Sequence, residues 1–188
     1  MQDLTNTYDP TKAITLKNRL EYFRNIKTFI FDVDGVLTDG KVLVTEGGEH
    51  LRSYHARDGY AIRHALDEGY NVCIITGGSG GSVEERMKKL KVPHYYVNAT
   101  DKLPILQNYC EAHGIKTEEI LYMGDDLNDF SVMQKVGLPC CPFDACNEII
   151  GLSHYISPFK GGEGCVRDVI EKVMKLRGNW MSHISVSG

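Results

Sequence analysis

Residues 28–40 read TFIFDVDGVLTDG, an apolar, aromatic and β-branched run that closes on Asp32-Val33-Asp34-Gly35. Such a run predicts a buried strand that delivers two carboxylates at its carboxyl end. The same pattern recurs at 71–76 (NVCIIT), 94–98, 120–124 and 138–141, with a shorter candidate at Tyr155-Ile156. Stretches of helical spacing lie between these runs. They cover 58–68, closed by Gly69, then 83–90, opened by a capping box of Ser82 and Glu85, and 103–113, closed by Gly114. Two more are expected near 127–136 and over 164–176, and an amphipathic helix over 12–24 carries Ala13, Leu16, Leu20 and Phe23. Apolar strands alternating with helices predict right-handed βαβ units. The fold class is therefore α/β, a doubly wound, mostly parallel sheet covered on both faces.

One interruption is expected. Residues 41–45 and 49–55 flank Glu46-Gly47-Gly48, which predicts a small β-hairpin insertion at about 41–55. No linker, repeat or low-complexity stretch divides the chain, so residues 1–188 read as a single domain.

Composition narrows the function classes. Lys and Arg total 21 against 25 Asp and Glu, a formal charge of −4, which disfavours a binder of nucleic acid or anionic membrane. The 42% hydrophobic and 24% charged fractions suit a folded domain. The N-terminus, MQDLTNTYDPTK, lacks a signal peptide's apolar core, and a cytoplasmic protein is expected. The six cysteines form no C-x-x-C pair and read as reduced thiols.

Open α/β sheets place their sites at the carboxyl ends of the strands. Here those ends offer Asp32 and Asp34, Thr76 followed by glycines, Lys102 at the head of a helix, and Gly124-Asp125-Asp126-Leu127-Asn128-Asp129. Carboxylates gathered at one edge repel unless a cation neutralises them, and hard oxygen donors favour Mg²⁺. A lysine, a hydroxyl and loop amides beside such an ion are suited to a phosphoryl group.

These four elements, in this order, resemble the four motifs of the haloacid dehalogenase-type phosphohydrolase superfamily: D-x-D-G-V at 32–36, Thr76, Lys102 and G-D-D-x-N-D at 124–129. The resemblance implies a Rossmann-like fold and a role for each residue. Asp32 would be the nucleophile and Asp34 the general acid and base, with Thr76 and Lys102 binding phosphoryl oxygens. Asp32, the Asp34 main-chain carbonyl and Asp125 would hold Mg²⁺, and Asp126 and Asp129 would orient Lys102 and the metal's waters.

The gaps from Asp39 to Thr76 and from Lys102 to Asp125 are too short for a substantial cap domain. That departure, with His55-Ala56-Arg57-Asp58-Gly59 and Gly161-Gly162-Glu163-Gly164, resembles the superfamily's capless branch acting on sugar-acid phosphates. The branch implies 3-deoxy-D-manno-octulosonate 8-phosphate as the small-molecule substrate, hydrolysed for lipopolysaccharide precursor synthesis, and a nine-carbon sialic-type acid 9-phosphate as the alternative. It also implies a homo-oligomer, a tetramer whose subunits cover each other's sites, through a hairpin carrying exposed Val42, Leu43 and Val44. Beyond Asp34 and Lys102, the implied substrate contacts are residues 55–59, Arg63, Arg86, Lys89 and Asn128. Gly78 stands where relatives carry an Arg or a Glu, so it departs from both substrate patterns. Two competing readings are a phosphotransferase or mutase, and a non-catalytic oligomerisation module.

Overall fold

The computed structural model describes residues 16–181, with side chains from residue 21 onward. Ala13, the side chains of Leu16 and Leu20, and the tail from residue 182 therefore lie outside the described residues. Helix α1 (Leu16–Asn25) leads into strand β1 (Thr28–Phe31), followed by a hairpin of β2 (Leu43–Val44) and β3 (His50–Leu51). Then come α2 (Ala56–Asp67), β4 (Asn71–Ile75), α3 (Gly81–Leu90), β5 (His94–Tyr96) and α4 (Lys102–His113). The chain continues through β6 (Ile120–Met123), α5 (Phe130–Met133), β7 (Leu138–Cys141), α6 (Asn147–Leu152), β8 (Tyr155–Ile156) and α7 (Cys165–Leu176).

Six strands form one parallel sheet in the order β5-β4-β1-β6-β7-β8. The chain runs outward from β1 through β4 to β5, then returns to lay β6 on the other side of β1. The carboxyl ends of β1 and β6 thus flank the point where the winding reverses, and crevices for ligands open there in such sheets. Period-2 alternation explains why β1 has no polar face. Phe29 and Phe31, with Val72, Ile74, Leu121 and Met123, pack against Ala61, Ile62, Val169 and Val173 of α2 and α7. Ile30, Cys73, Ile75 and Tyr122 face the opposite way, toward Leu106, Tyr109, Val132 and Ile149 of the α4–α6 layer. Each fully buried side chain of this size contributes about 1.5–3 kcal/mol relative to exposure.

Three local expectations change. The Ser82–Glu85 capping box does not form: α3 starts at Gly81 behind Gly80 (φ +113°), and the Ser82 hydroxyl donates to the His50 carbonyl at 3.0 Å, tying the helix to the hairpin. The helix expected near 127–136 shrinks to a tight turn at Leu127–Asp129 plus the single turn of α5. There the Asp126 carboxylate accepts from the Leu127 amide, and the chain doubles back to place Asp129 beneath the strand end. Helix α6 was not anticipated, because only Ile149 of its six residues is buried and no periodic stripe marks it.

The paired part of the hairpin is shorter than 41–55, with Leu43 opposite Leu51 and Val44 opposite His50. Its apolar side chains are exposed, Leu43 by 66% and Val44 by 58%. All six cysteines are free. Among the described residues no helix is long and apolar enough to cross a membrane.

Candidate active site

Asp32 follows the last residue of β1, and its Oδ1 accepts from the Val33 amide at 2.6 Å. The next turn is sharp. Asp34 is extended (φ −75°, ψ 121°) and Gly35 sits at φ +84°, a conformation side chains rarely adopt. A Cβ at Gly35 would stand 2.0 Å from Asp125 Oδ2, so glycine here serves both the turn and the approach of the β6 loop. Gly124 is constrained by close approach alone, since its Cβ would meet Asp129 Cγ at 2.3 Å.

Lys102 opens α4, where the Asp101 carboxylate caps the helix by accepting from the Leu103 amide. It is 1% exposed, and its ammonium lies 2.9 Å from Asp32 Oδ2 and 2.7 Å from Asp129 Oδ1. Asp129 is fully buried. Its Oδ1 also accepts from the Tyr122 hydroxyl at 2.6 Å, and its Oδ2 accepts from the Asp125 amide at 3.1 Å. Asp129 therefore holds Lys102 in place from below. Burial pulls the Lys102 ammonium down, but the charges of Asp32 and Asp129 outweigh it and lift the group above its ordinary value.

One oxygen from each of Asp32, Asp125 and Asp129 falls within 4.8 Å of the others. Burial, reinforced by the Asp129 charge, pushes Asp32 up to about 6. Burial and the charges of Asp32 and Asp129 push Asp125 up to about 8. Buried carboxylates destabilised in this way fit a hard divalent cation. Asp129 already meets three donors, whereas the Asp125 carboxylate accepts no hydrogen bond from the described residues. Asp32 and Asp125 are accordingly the carboxylates with capacity for an ion.

Asp32, Asp34, Thr76, Asp125, Asp126 and Asn128 line one open cleft, with Gly77 and Gly78 in its wall. Thr76 is buried, and its Oγ1 accepts from the Gly78 amide at 3.0 Å. Asp126 is placed differently from expectation: its carboxylate caps the 127–129 turn at the exposed rim, away from the Lys102 ammonium that Asp32 and Asp129 engage.

The substrate contacts implied by resemblance scatter. His55 and Arg57 line a separate cleft against α7 with Arg167 and Lys172. Ala56 is the exposed first residue of α2, and Asp58 is buried, accepting from the Arg167 amide at 2.7 Å. Gly59 gives the Arg86 guanidinium room, since a Cβ there would lie 2.4 Å from Arg86 Nη2. The Arg86 guanidinium lies over the Tyr54 ring, 5.4 Å from its centroid. Arg63 faces Asp67 at 3.8 Å, and Lys89 is exposed. Within one chain, then, residues 55–59, Arg63 and Lys89 are not brought to the carboxylate cleft.

Sequence reasoning missed Arg52. Its side chain is 3% exposed and forks onto Asp34, Nε to Oδ1 at 2.6 Å and Nη2 to Oδ2 at 2.9 Å, while Nη1 donates to the Ser79 carbonyl at 3.2 Å. That pairing raises the guanidinium above its usual range. The sequence shows only an Arg among polar neighbours in a hairpin arm, which reads as a solvated strand face.

Comparison with known proteins follows the same lines. Residues 96–169 match the family model of haloacid dehalogenase-like hydrolases. The chain is 37% identical over 175 residues to 3-deoxy-D-manno-octulosonate 8-phosphate phosphatase of Escherichia coli (strain K12), covering 93% of this chain and 91% of that protein. Against the phosphatase of that name from Salmonella typhi the identity is 40% over 154 residues, 82% of each chain. Among solved structures, the Moraxella catarrhalis 3-deoxy-D-manno-octulosonate 8-phosphate phosphatase in complex with magnesium ion, phosphate ion and KDO superposes with a TM-score of 0.86. It is 30% identical, over 89% of this chain and 97% of that one.

Proposed function

Because the chain belongs to the haloacid dehalogenase-like hydrolases, in a branch of phosphatases, we propose that it is a Mg²⁺-dependent phosphomonoesterase of sugar-acid phosphates. Its preferred substrate is 3-deoxy-D-manno-octulosonate 8-phosphate, converted to the free sugar acid and phosphate in the cytoplasm as a step toward lipopolysaccharide precursors. The observation that carries this reading is the buried Lys102, paired at once to Asp32 and Asp129 beside the unpaired Asp125.

Asp32 is the nucleophile. One of its oxygens bonds to phosphorus while the phosphorus–oxygen ester bond breaks, and Asp34 gives its proton to the departing alkoxide. Asp34 then takes a proton from water as the water oxygen attacks phosphorus. The bond from phosphorus to Asp32 breaks, phosphate leaves and the carboxylate is restored. The Thr76 hydroxyl, the Lys102 ammonium and the amides after Asp34 hold the phosphoryl oxygens. The Asp32 and Asp125 carboxylates and the Asp34 carbonyl would hold Mg²⁺, which supplies the positive charge that lets both carboxylates stay ionised and offsets charge on the phosphoryl group. Asp129 positions Lys102, while Asn128 reaches the substrate from the rim.

Protons and cation compete for the same carboxylates, so the sign of the pH dependence follows. With Asp32 raised to about 6 and Asp125 to about 8, the metal-free fold loses stability as pH rises from the ordinary carboxylate range near 4 through those values. Mg²⁺ reverses that loss. Phosphate release from the sugar-acid phosphate should require Mg²⁺ and stop with EDTA, and the rise in melting temperature on adding Mg²⁺ should be larger at pH 8 than at pH 6. Undiminished turnover in EDTA would sink the metal-dependent reading, and an increment that falls with pH would remove Asp125 as a ligand.

The open cleft and the exposed hairpin support assembly, and a homotetramer is part of the proposal. His55, Arg57 and Arg63, which miss the cleft of their own chain, would then serve a neighbouring copy. Leu43→Asp with Val44→Asp should shift the protein from a larger species to monomer by sedimentation and reduce kcat/KM by about tenfold or more. An unchanged sedimentation coefficient would exclude the hairpin as the contact.

A further inference from the structure

Arg52 and Gly78 have no role in the mechanism just described, yet they meet at its acid. The Arg52 side chain is buried beside two residues that line the cleft, forked onto both oxygens of Asp34 and close against Gly78. An ideal Cβ on Gly78 would lie 2.9 Å from Arg52 Nη2, 2.8 Å from Asp34 Oδ2 and 3.2 Å from Thr76 Oγ1. A side chain at 78 would therefore begin in the space that the guanidinium and the acid now share. The loop's lack of a side chain and the hairpin's arginine form one arrangement.

The location of this cation on the reaction axis suggests what it serves. Lys102 pairs with the nucleophile Asp32, so it lies on the side of phosphorus from which attack comes. Arg52 pairs with Asp34, the group that addresses the leaving oxygen, so it lies on the side that carries the rest of the substrate. Its contacts to Asp34 and to the Ser79 carbonyl use three of a guanidinium's five N–H groups. One N–H on each terminal nitrogen has no acceptor among the described residues. Two more donors nearby share that condition. The Tyr54 hydroxyl and Arg86 Nε are buried without a hydrogen-bond partner among the described residues, and Tyr54 feels the charges of Arg52, Asp34 and Arg86 together. Unmade hydrogen bonds at buried donors are costly, and a carboxylate takes a guanidinium at two points.

We infer that Arg52 is a specificity-determining residue. It binds a carboxylate on the leaving-group side of the substrate, releasing Asp34 toward the leaving oxygen as it does so, and Gly78 keeps open the space its guanidinium needs. This rests on the phosphatase reading above and deepens it, by naming which residue of this chain selects an acidic sugar phosphate over a neutral one.

The test compares kcat/KM for two primary alkyl phosphates, 3-deoxy-D-manno-octulosonate 8-phosphate and D-glucose 6-phosphate, which lacks the carboxylate. In Arg52→Ala the preference for the acid should fall about 10–100-fold, whatever factor both rates lose in common. Arg52→Lys should recover only part of it, because an ammonium keeps the charge without the two-point fork. Gly78→Ala removes no functional group, and its Cβ meets flexible side-chain ends rather than backbone, so it should fold and still lose preference. In the Arg52→Ala background the same change should cost little more, a non-additivity expected of one shared contact. If Arg52→Ala lowers both substrates equally, Arg52 serves the phosphoryl group or only positions Asp34, and the inference fails while the phosphatase reading stands. Additive losses from Arg52→Ala and Gly78→Ala would overturn the link between them. A wild-type protein that hydrolyses neither ester overturns both readings.

Discussion

Asp32→Asn is expected to lower phosphate release by at least about 10³-fold while the fold persists. The substitution keeps the shape of the side chain and an oxygen able to accept from the Val33 amide, so β1 and its turn retain their local bond. What disappears is the anionic oxygen that bonds to phosphorus in the proposed mechanism, and an amide cannot replace it. Neutralising this site relieves part of the repulsion on Asp125, but it also sets an amide N–H where Asp32 Oδ2 met the Lys102 ammonium at 2.9 Å. Asp129 still pairs that lysine, so the melting temperature should fall by less than in Lys102→Met. The readouts are kcat for 3-deoxy-D-manno-octulosonate 8-phosphate and a thermal melt on the same preparation. Turnover at the wild-type rate would take Asp32 out of the chemistry, and the non-catalytic reading of this fold would then gain ground.

Lys102→Met should be the most damaging single change to the fold and the site together. It leaves Asp32 and Asp129, at 3% and 0% exposure, with their shared cation gone. Breaking a buried pair by removing one partner costs about 3–5 kcal/mol. For a chain of this size that corresponds to a fall in melting temperature of roughly 10–15 °C. The loss should depend on pH in a stated direction. Asp32 already stands near 6 with the lysine present, and without it the neutral form is favoured further. A carboxylate raised in the fold destabilises it as pH climbs past the unfolded value near 4, so the deficit should be largest above pH 7 and shrink toward pH 4. Phosphate release should fall by at least about 10²-fold at every pH, because in the proposed mechanism Lys102 is the buried cation that holds the phosphoryl group. A melting point within about 2 °C of wild type would mean that the three-way pairing of Lys102 contributes little.

Local sequence signals marked the candidate strand ends because those signals are local. Gly35 had to be glycine for the turn after Asp34, and the apolar run Thr28–Phe31 had to be a strand because both of its faces are covered. Lys102, by contrast, looks like any helix-opening lysine. Only its placement beneath two carboxylates from β1 and the β6 loop makes it part of the site. The error at Ser82 has the same origin. Its spacing to Glu85 suits a cap, but a hairpin carbonyl 32 residues away competes for the hydroxyl and wins. Asp126 was expected to orient Lys102 and metal-bound water; the tight 127–129 turn takes its Oδ1 as a cap, and among the described residues Lys102 pairs with Asp32 and Asp129 instead.

The sequence by itself determined the fold class and marked Asp32, Asp34, Thr76, Lys102, Asp125 and Asp129 as candidates at strand and helix ends. Periodicity and strand-end composition are written along the chain, so they can be read without a third dimension. Tertiary structure alone decided which charges face each other. It brought Arg52 from the hairpin onto Asp34, left Gly78 as the space between them, and kept His55, Arg57 and Arg63 out of the cleft of their own chain. The reason is physical: an ion pair depends on distances of a few ångströms between segments far apart in sequence, and no spacing along the chain encodes them.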